Sequence, residues 1–242
     1  MITVSIVNHG HDNLISPLIN DLSHFTDVSK IILTNNIPSK KINYPHQVKS
    51  KTIIINNKRI KGFSSNHNSA FNMCNSQYFC IINPDVRIPE NPFPDMLKLF
   101  KNNKIAIVAP AVLNEKGNIE DNARKYPTFI YLLMRKFGIN NDTYDYQLGD
   151  STFEPDWLAG MFLLIKSNDF NEIGLLDEKN FFIYCEDIDL CLRLNKMGKK
   201  IILDPSSTII HDAQRTSRRN PIYFFYHLNS MYNFYRKHYF NQ

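Results

Sequence analysis

The 242-residue chain has little of what marks several large classes of protein. Its four cysteines, Cys74, Cys80, Cys185 and Cys191, form no CxxC pair, which argues against a zinc site or a redox motif. Three of them fall within apolar periodic segments, so buried reduced thiols are expected. No apolar run approaches the ~18 residues that a membrane-spanning helix needs. The opening "MITVSIVNHG" has a strand pattern without a charged leader and apolar core, so no signal peptide is read there and a reduced, cytoplasmic setting is expected. Among only eight glycines there is neither GxGxxG nor GxxxxGK[ST], which leaves dinucleotide and P-loop readings without support. HExxH and GxSxG are missing as well, so zinc protease and serine hydrolase chemistry lack their geometry. A formal net charge of +5 fits anionic ligands or a membrane surface and is too small to indicate nucleic acid.

What is present is an alternation of strands and helices. Apolar runs at 2–7, 30–34, 52–56, 78–82 and 105–110 read as strands. Between them, 12–25, 65–74 and 92–102 place apolar residues at helical spacing, with Asp12 a fitting N-cap and Pro17 inside the first helix. This alternation predicts an α/β domain with a largely parallel sheet, whose ligands bind outside the carboxyl ends of the strands. The second half is less regular. It holds a helix at 129–137, a strand over 156–166 entered through Trp157 and Gly160, and an apolar strand "NFFIYC" leading into a helix over 186–198 that ends at Gly198. Two short strands follow at 199–205 and 207–211, then a helix from Pro221 to about Tyr239. With 43% apolar residues, one sizeable core can form, and the domain spans 1–217 with a C-terminal helix over 218–242.

Several residues could carry chemistry. Pro84 cannot continue a central ladder, so Asn83-Pro84-Asp85 fixes a carboxylate just past a strand end, although the same tripeptide is ordinary turn chemistry. Glu186, Asp187 and Asp189 crowd the start of a helix, where neighbours lie about 100° apart and cannot share one face. Acidic residues there are also favoured by the helix dipole, which should keep Asp187 ionised. His211 ends a strand; with Asp85 it offers an oxygen and a nitrogen ligand suited to Mn²⁺ or Mg²⁺ when phosphate and water fill the other positions. Arg215, Ser217 and Arg218 lie in "QRTSRR", which suits a diphosphate.

The order of these pieces resembles glycosyltransferase family 2, in particular its rhamnosyltransferase-like branch. The resemblance runs over 2–217 through "KGFSSNHNSAF", "INPDV", "DWLAGMFLLIK", "LLDEKNFFIYCEDIDLCLRLNKMGKKIIL" and "HDAQRTS". It implies the GT-A fold, a divalent cation (Mn²⁺ or Mg²⁺) and inverting transfer from a nucleoside diphosphate sugar to an acceptor hydroxyl. It further implies that Asn83 and Asp85 belong to the metal and diphosphate motif, with His211 near them. Asp187 then stands at the position of the catalytic base with Glu186 beside it, and Trp157 to Gly160 line the sugar pocket. Where the family usually has an Asp ending the second strand to hold the nucleobase, this chain has Thr34 and Asn35.

The implied product is a surface glycan of O-antigen, capsule or lipopolysaccharide type, with rhamnose or another deoxyhexose as the sugar and a glycan or lipid-linked glycan as acceptor. The terminal helix holds nine aromatics. It packs on the domain through Phe224, Leu228, Met231 and Tyr235, meets the cytoplasmic face of the inner membrane, or does both on different faces. Two other classes compete: a nucleotidyltransferase, which would want a basic Gly-rich loop near the N-terminus, and a non-catalytic membrane- or nucleic-acid-binding module, against which the ordered Asp85, Asp187 and His211 argue.

Overall fold

The structure, a computed structural model, describes residues 1–39, 46–127, 142–211 and 221–240. Eleven strands are present among them. β1 (Ile2–Asn8), β2 (Val28–Asn35), β3 (Thr52–Asn56), β4 (Tyr78–Ile82), β5 (Val86–Arg87), β6 (Ile105–Leu113), β7 (Ile119–Glu120), β10 (Phe162–Lys166) and β11 (Lys200–His211) form one nine-stranded sheet. β8 (Ala123–Arg124) and β9 (Trp157–Leu158) form a two-stranded ribbon. The large sheet runs in the order β3-β2-β1-β4-β10-β6-β11-β5, with β7 beside β6. It is parallel from β3 to β4, and β10 then enters antiparallel between β4 and β6.

Period-two alternation splits the core into two layers. Val4, Ile6, Cys80, Ile82, Phe162, Leu164 and Val108 face α1 (Asp12–Ser23) and, beyond α2 (His46–Lys49) and α3 (Phe63–Phe71), α4 (Phe93–Leu99). Phe79, Ile81, Leu163, Ile165 and Ile107 face Ala70 of α3, Phe170 of α5 (Ser167–Glu172), and Ile188, Cys191 and Leu194 of α6 (Glu186–Lys196). Phe234 of α7 (Pro221–Tyr235), wholly buried, belongs to this second layer. All four cysteines are free thiols and three are buried.

Some local expectations change. His11, not Asp12, occupies the N-cap of α1; Asp12 lies inside the helix, where its carboxylate accepts from Asn8 Nδ2 at 2.6 Å and Ser39 Oγ at 2.8 Å. The segment 156–166 is two strands in two sheets, β9 and β10, broken at Ala159–Met161. The pair expected at 199–211 is the single strand β11, with an irregularity between Asp204 and Thr208. "NFFIYC" is no strand: Tyr184 (φ 71°) and Cys185 (φ 64°) are left-handed, a conformation that costs roughly 1–3 kcal/mol for each non-glycine residue. The helix expected at 129–137 lies outside the described residues.

Candidate functional site

Topology assembles the site. β1 to β4 are parallel and end at one edge, and β10, antiparallel to β4, begins there with Phe162 opposite Ile82. The turn after β4 therefore meets the segment before β10, and the Asn83 N–H donates to the Met161 carbonyl at 2.9 Å. β11 is parallel to β6 and ends at the same edge, where His211 pairs with Val86 of β5. Asp85, one residue before β5, is thus set beside His211.

His211 sits between two carboxylates. Its Nδ1 lies 2.8 Å from Glu120 Oε2 and its Nε2 lies 3.3 Å from Asp85 Oδ2. Burial alone would lower its pKa; the hydrogen bonds and charges of Asp85 and Glu120 outweigh burial and raise it to about 9. Asp85 Oδ1 is buried without a partner. Among the described residues no three His, Cys, Asp or Glu side chains converge as a metal-holding group. Asp85 and His211 nevertheless fit two ligands of a divalent cation: an oxygen with a spare lone pair faces an imidazole whose other nitrogen Glu120 orients. Glu120 had no signal in the sequence, because the short β7–β6 hairpin that delivers it carries no motif.

Asp187 lies in the first turn of α6 and is half-buried. Its Oδ2 accepts from Gly160 N–H at 3.0 Å and its Oδ1 from Ile188 N–H at 2.9 Å. Through Gly160 and Met161 it is tied to the Asn83-Pro84-Asp85 turn by two hydrogen bonds along one short segment. Burial raises the Asp187 pKa, against the pull of both N–H groups and of Arg124. Burial is the largest influence on its proton affinity, and its direction is opposite to that expected from its position in the first turn. Glu186 is 6% exposed with Oε2 unpartnered, and burial followed by the Asp187 charge pushes its pKa well up. Of the two, Glu186 is the more deeply buried carboxyl.

Thr34 and Asn35 are buried at the end of β2. Asn8, Asn35 and Asn56 are in register across β1, β2 and β3 and form an amide ladder. Asn8 Nδ2 donates to Asn35 Oδ1 at 3.1 Å, and Asn35 Nδ2 donates to Asn56 Oδ1 at 2.8 Å. Asn36 Oδ1 accepts from the Lys61 N–H and from Asn57 Nδ2, both at 2.9 Å, which fixes the loop before α3. The signal was present in the sequence, since each of the first three strands ends in asparagine. Trp157 is buried; its indole N–H donates to Lys125 O at 3.0 Å, and Arg124 lies 5.3 Å above its ring. Arg215, Ser217 and Arg218 lie outside the described residues.

The C-terminal segment holds the chain that delivers Asp187. Asp189, wholly buried, receives Arg193 at 2.7 Å, Lys237 at 2.6 Å and His238 at 2.7 Å. Burial would raise its pKa, but His238, Arg193 and Lys237 together lower it. Lys237 also reaches Asp177 at 2.7 Å, Ser230 Oγ donates to Ile183 O at 2.8 Å, and Asn233 Nδ2 donates to Asn180 O at 2.9 Å. The packed residues are Ser230, Phe234 and His238, one helical face, with Met231 partly buried. Phe224 (60% exposed) and Leu228 (48% exposed), expected to pack, point outward instead. Among the described residues no helix is long and apolar enough to cross a membrane.

Residues 31–153 match the sequence model of Glycosyl transferase family 2. The chain is 27% identical over 228 residues to Rhamnosyltransferase WbbL of Escherichia coli K12, covering 90% of this chain and 86% of that protein. It is 27% identical over 150 residues to the N-acetylglucosaminyl-diphospho-decaprenol L-rhamnosyltransferase of Mycobacterium tuberculosis, covering 58% of this chain and about half, 48%, of the relative. Among solved structures it resembles GalNAc-T7 with UDP, GalNAc and Mn²⁺ (TM-score 0.65, 15% identity, 88% of this chain and 44% of that one). It also resembles the mannosyltransferase PcManGT of Pyrobaculum calidifontis with GDP-Man and Mn²⁺ (TM-score 0.61, 12% identity, 89% of this chain and 57% of that one). These neighbours share the GT-A fold. With a family match across half its length, and with rhamnosyltransferases among its relatives, the chain belongs to glycosyltransferase family 2.

Proposed function

We propose that the protein transfers a deoxyhexose, with rhamnose the best candidate, from a nucleoside diphosphate donor to a hydroxyl of a lipid-linked surface glycan, with inversion. The supporting observation is that Gly160–Met161 ties Asp187 to the Asn83-Pro84-Asp85 turn at the sheet edge to which β11 brings His211. The rhamnosyltransferase relatives support the sugar, and the diphospho-decaprenol in one relative's name supports the lipid-linked acceptor.

The donor lies over the ends of β1 to β4, with its base toward Thr34, Asn35 and the amide ladder. Arg215, Ser217 and Arg218 are assigned to its diphosphate, and Trp157 to Gly160 to the sugar. Asp85 and His211 would hold a divalent cation, which supplies neutralisation of the charge that grows on the leaving diphosphate. Asp187 takes the acceptor hydroxyl's proton as that oxygen attacks the anomeric carbon from the face opposite the diphosphate. Gly160 N–H and Ile188 N–H keep the carboxylate aimed, and its raised pKa makes it a stronger proton acceptor than a surface aspartate. The exposed aromatic side of α7 and the arginines in the sequence before it support a peripheral position on the cytoplasmic face of the membrane that carries the acceptor.

Two ligands hold a cation weakly until the diphosphate completes its shell. Calorimetry with a nucleoside diphosphate is therefore expected to show clear binding with Mn²⁺ and little heat in EDTA. Asp85→Ala should reproduce the EDTA result with an unchanged thermal transition. Equal affinity in both buffers would remove the assignment of Asp85.

A further inference from the structure

A groove of about 390 Å³ lies between the loop before α3 and the chain that leads to Asp187. Arg59, Ile60 and Lys61 form one wall; Lys179 and Phe182 stand on the other. The walls are fastened together. The Phe63 N–H donates to Phe182 O at 2.7 Å, and Gly62 lies so close that a Cβ there would come 2.4 Å from the same carbonyl. The groove is thus a built feature and not a gap between mobile loops.

Its charge and its surroundings point to one ligand chemistry. Three cations face one carboxylate, Glu178, which accepts from Asn68 Nδ2 at 3.3 Å. Among the described residues no carboxylate forms an ion pair with Arg59, Lys61 or Lys179. An anion is wanted there. The rim is apolar: Ile60 is 57% and Phe182 42% exposed. Phe182 stacks on Tyr226 of α7, with ring centroids 5.2 Å apart and planes 26° apart, and Ile222, Phe224 and Phe225 beside Tyr226 are all more than half exposed. An apolar strip therefore runs from the basic groove onto the helix. From 213 to 242 the chain has no acidic residue and five arginines or lysines, which suits an anionic lipid surface. A free phosphate would use the cations and leave the strip unused; a neutral lipid would do the reverse.

Resting on the glycosyltransferase reading, we propose that this groove binds the diphosphate of a lipid-linked acceptor, with the isoprenoid chain laid along the exposed aromatic side of α7. The 178–182 wall continues directly into Glu186 and Asp187, so an acceptor anchored there presents its first sugar to the site described above.

The test is calorimetry on the full chain with three probes: farnesyl diphosphate, inorganic pyrophosphate and farnesol. Farnesyl diphosphate should bind at least about tenfold more tightly than either of the others, since only it meets both cations and strip. Reversing two exposed charges, Arg59→Glu with Lys179→Glu, should weaken it at least about tenfold and leave Mn²⁺-dependent nucleoside diphosphate binding within twofold. Phe182→Ser should weaken farnesyl diphosphate and leave pyrophosphate unchanged. Equal binding of pyrophosphate overturns the lipid half of the proposal, equal binding of farnesol overturns the diphosphate half, and indifference to the charge reversal overturns the site. Failure of the glycosyltransferase reading would show separately, as absent nucleotide binding in the unaltered protein.

Discussion

Asp187→Asn is expected to lower turnover by about 10²–10⁴-fold while donor affinity stays within a few-fold. The carboxylate accepts one N–H on each oxygen, from Gly160 and Ile188. An asparagine keeps only one of these bonds, so the thermal transition of the variant should be checked and should fall only slightly, by the ~1 kcal/mol typical of one hydrogen bond. Glu186→Gln should cost less turnover, because the Glu186 carboxyl is buried at 6% exposure, whereas Asp187 is half-buried and open to an acceptor. Steady-state kinetics on the two variants decide between neighbours that sequence spacing left as rivals. Abolished turnover in Glu186→Gln with near-normal Asp187→Asn would move the role by one residue.

The largest expected effect on stability lies two residues further on. Asp189→Ala leaves Arg193 and His238 facing a buried site without the carboxylate they meet, and leaves Lys237 with Asp177 alone. Breaking such a group is expected to cost roughly 3–5 kcal/mol, a fall in Tm of roughly 6–20 °C for a chain of this size. Acid should act on the same contacts. Lys237 and Asn180 overcome burial and lower the Asp177 pKa to about 2, below its unfolded value. A depressed carboxylate contributes stability above its unfolded pKa and loses it as pH falls through the folded one. About 2 kcal/mol should therefore disappear between about pH 4 and pH 2. Urea midpoints measured across that window, with Asp177→Asn as the variant that flattens the response, test the assignment.

These effects would tie the terminal helix to the proposed reaction. Ser230 and Asn233 hold the Ile183 and Asn180 carbonyls beside the two left-handed residues Tyr184 and Cys185, so the packed face of α7 helps keep the strained turn that aims Asp187. The other face of the same helix is exposed and aromatic. A packed face and an exposed aromatic face thus lie on different sides of one helix.

Much of the fold was legible because its strands are short apolar runs bounded by polar turns. Thr52–Asn56 and Tyr78–Ile82 match the sequence reading at both ends. Asp85 was legible for a related reason, since proline cannot continue a central strand and a carboxylate next to it is fixed in space. Partners brought from far along the chain were not. Glu120 reaches His211 across 91 residues, and Asp189 meets Lys237 across 48. The break at Ala159–Met161 was hidden inside a continuous apolar run, because only the sheet shows that Trp157 pairs with Arg124 while Phe162 pairs with Ile82. The outward turn of Phe224 and Leu228 was equally hidden: in a helix aromatic all round, composition does not select the buried face, and Asp189 selects it through His238.

The ends of the parallel strands should bind a nucleoside diphosphate sugar. A thermal-shift panel of nucleotide sugars, each with Mn²⁺ and with EDTA, tests it most directly. One donor is expected to stabilise the fold by ~2.7 kcal/mol at a hundredfold excess over its dissociation constant, a rise in Tm of roughly 5–11 °C, and to lose that effect in EDTA and in Asp85→Ala. A transition that no nucleotide sugar moves in the presence of Mn²⁺ would contradict the account.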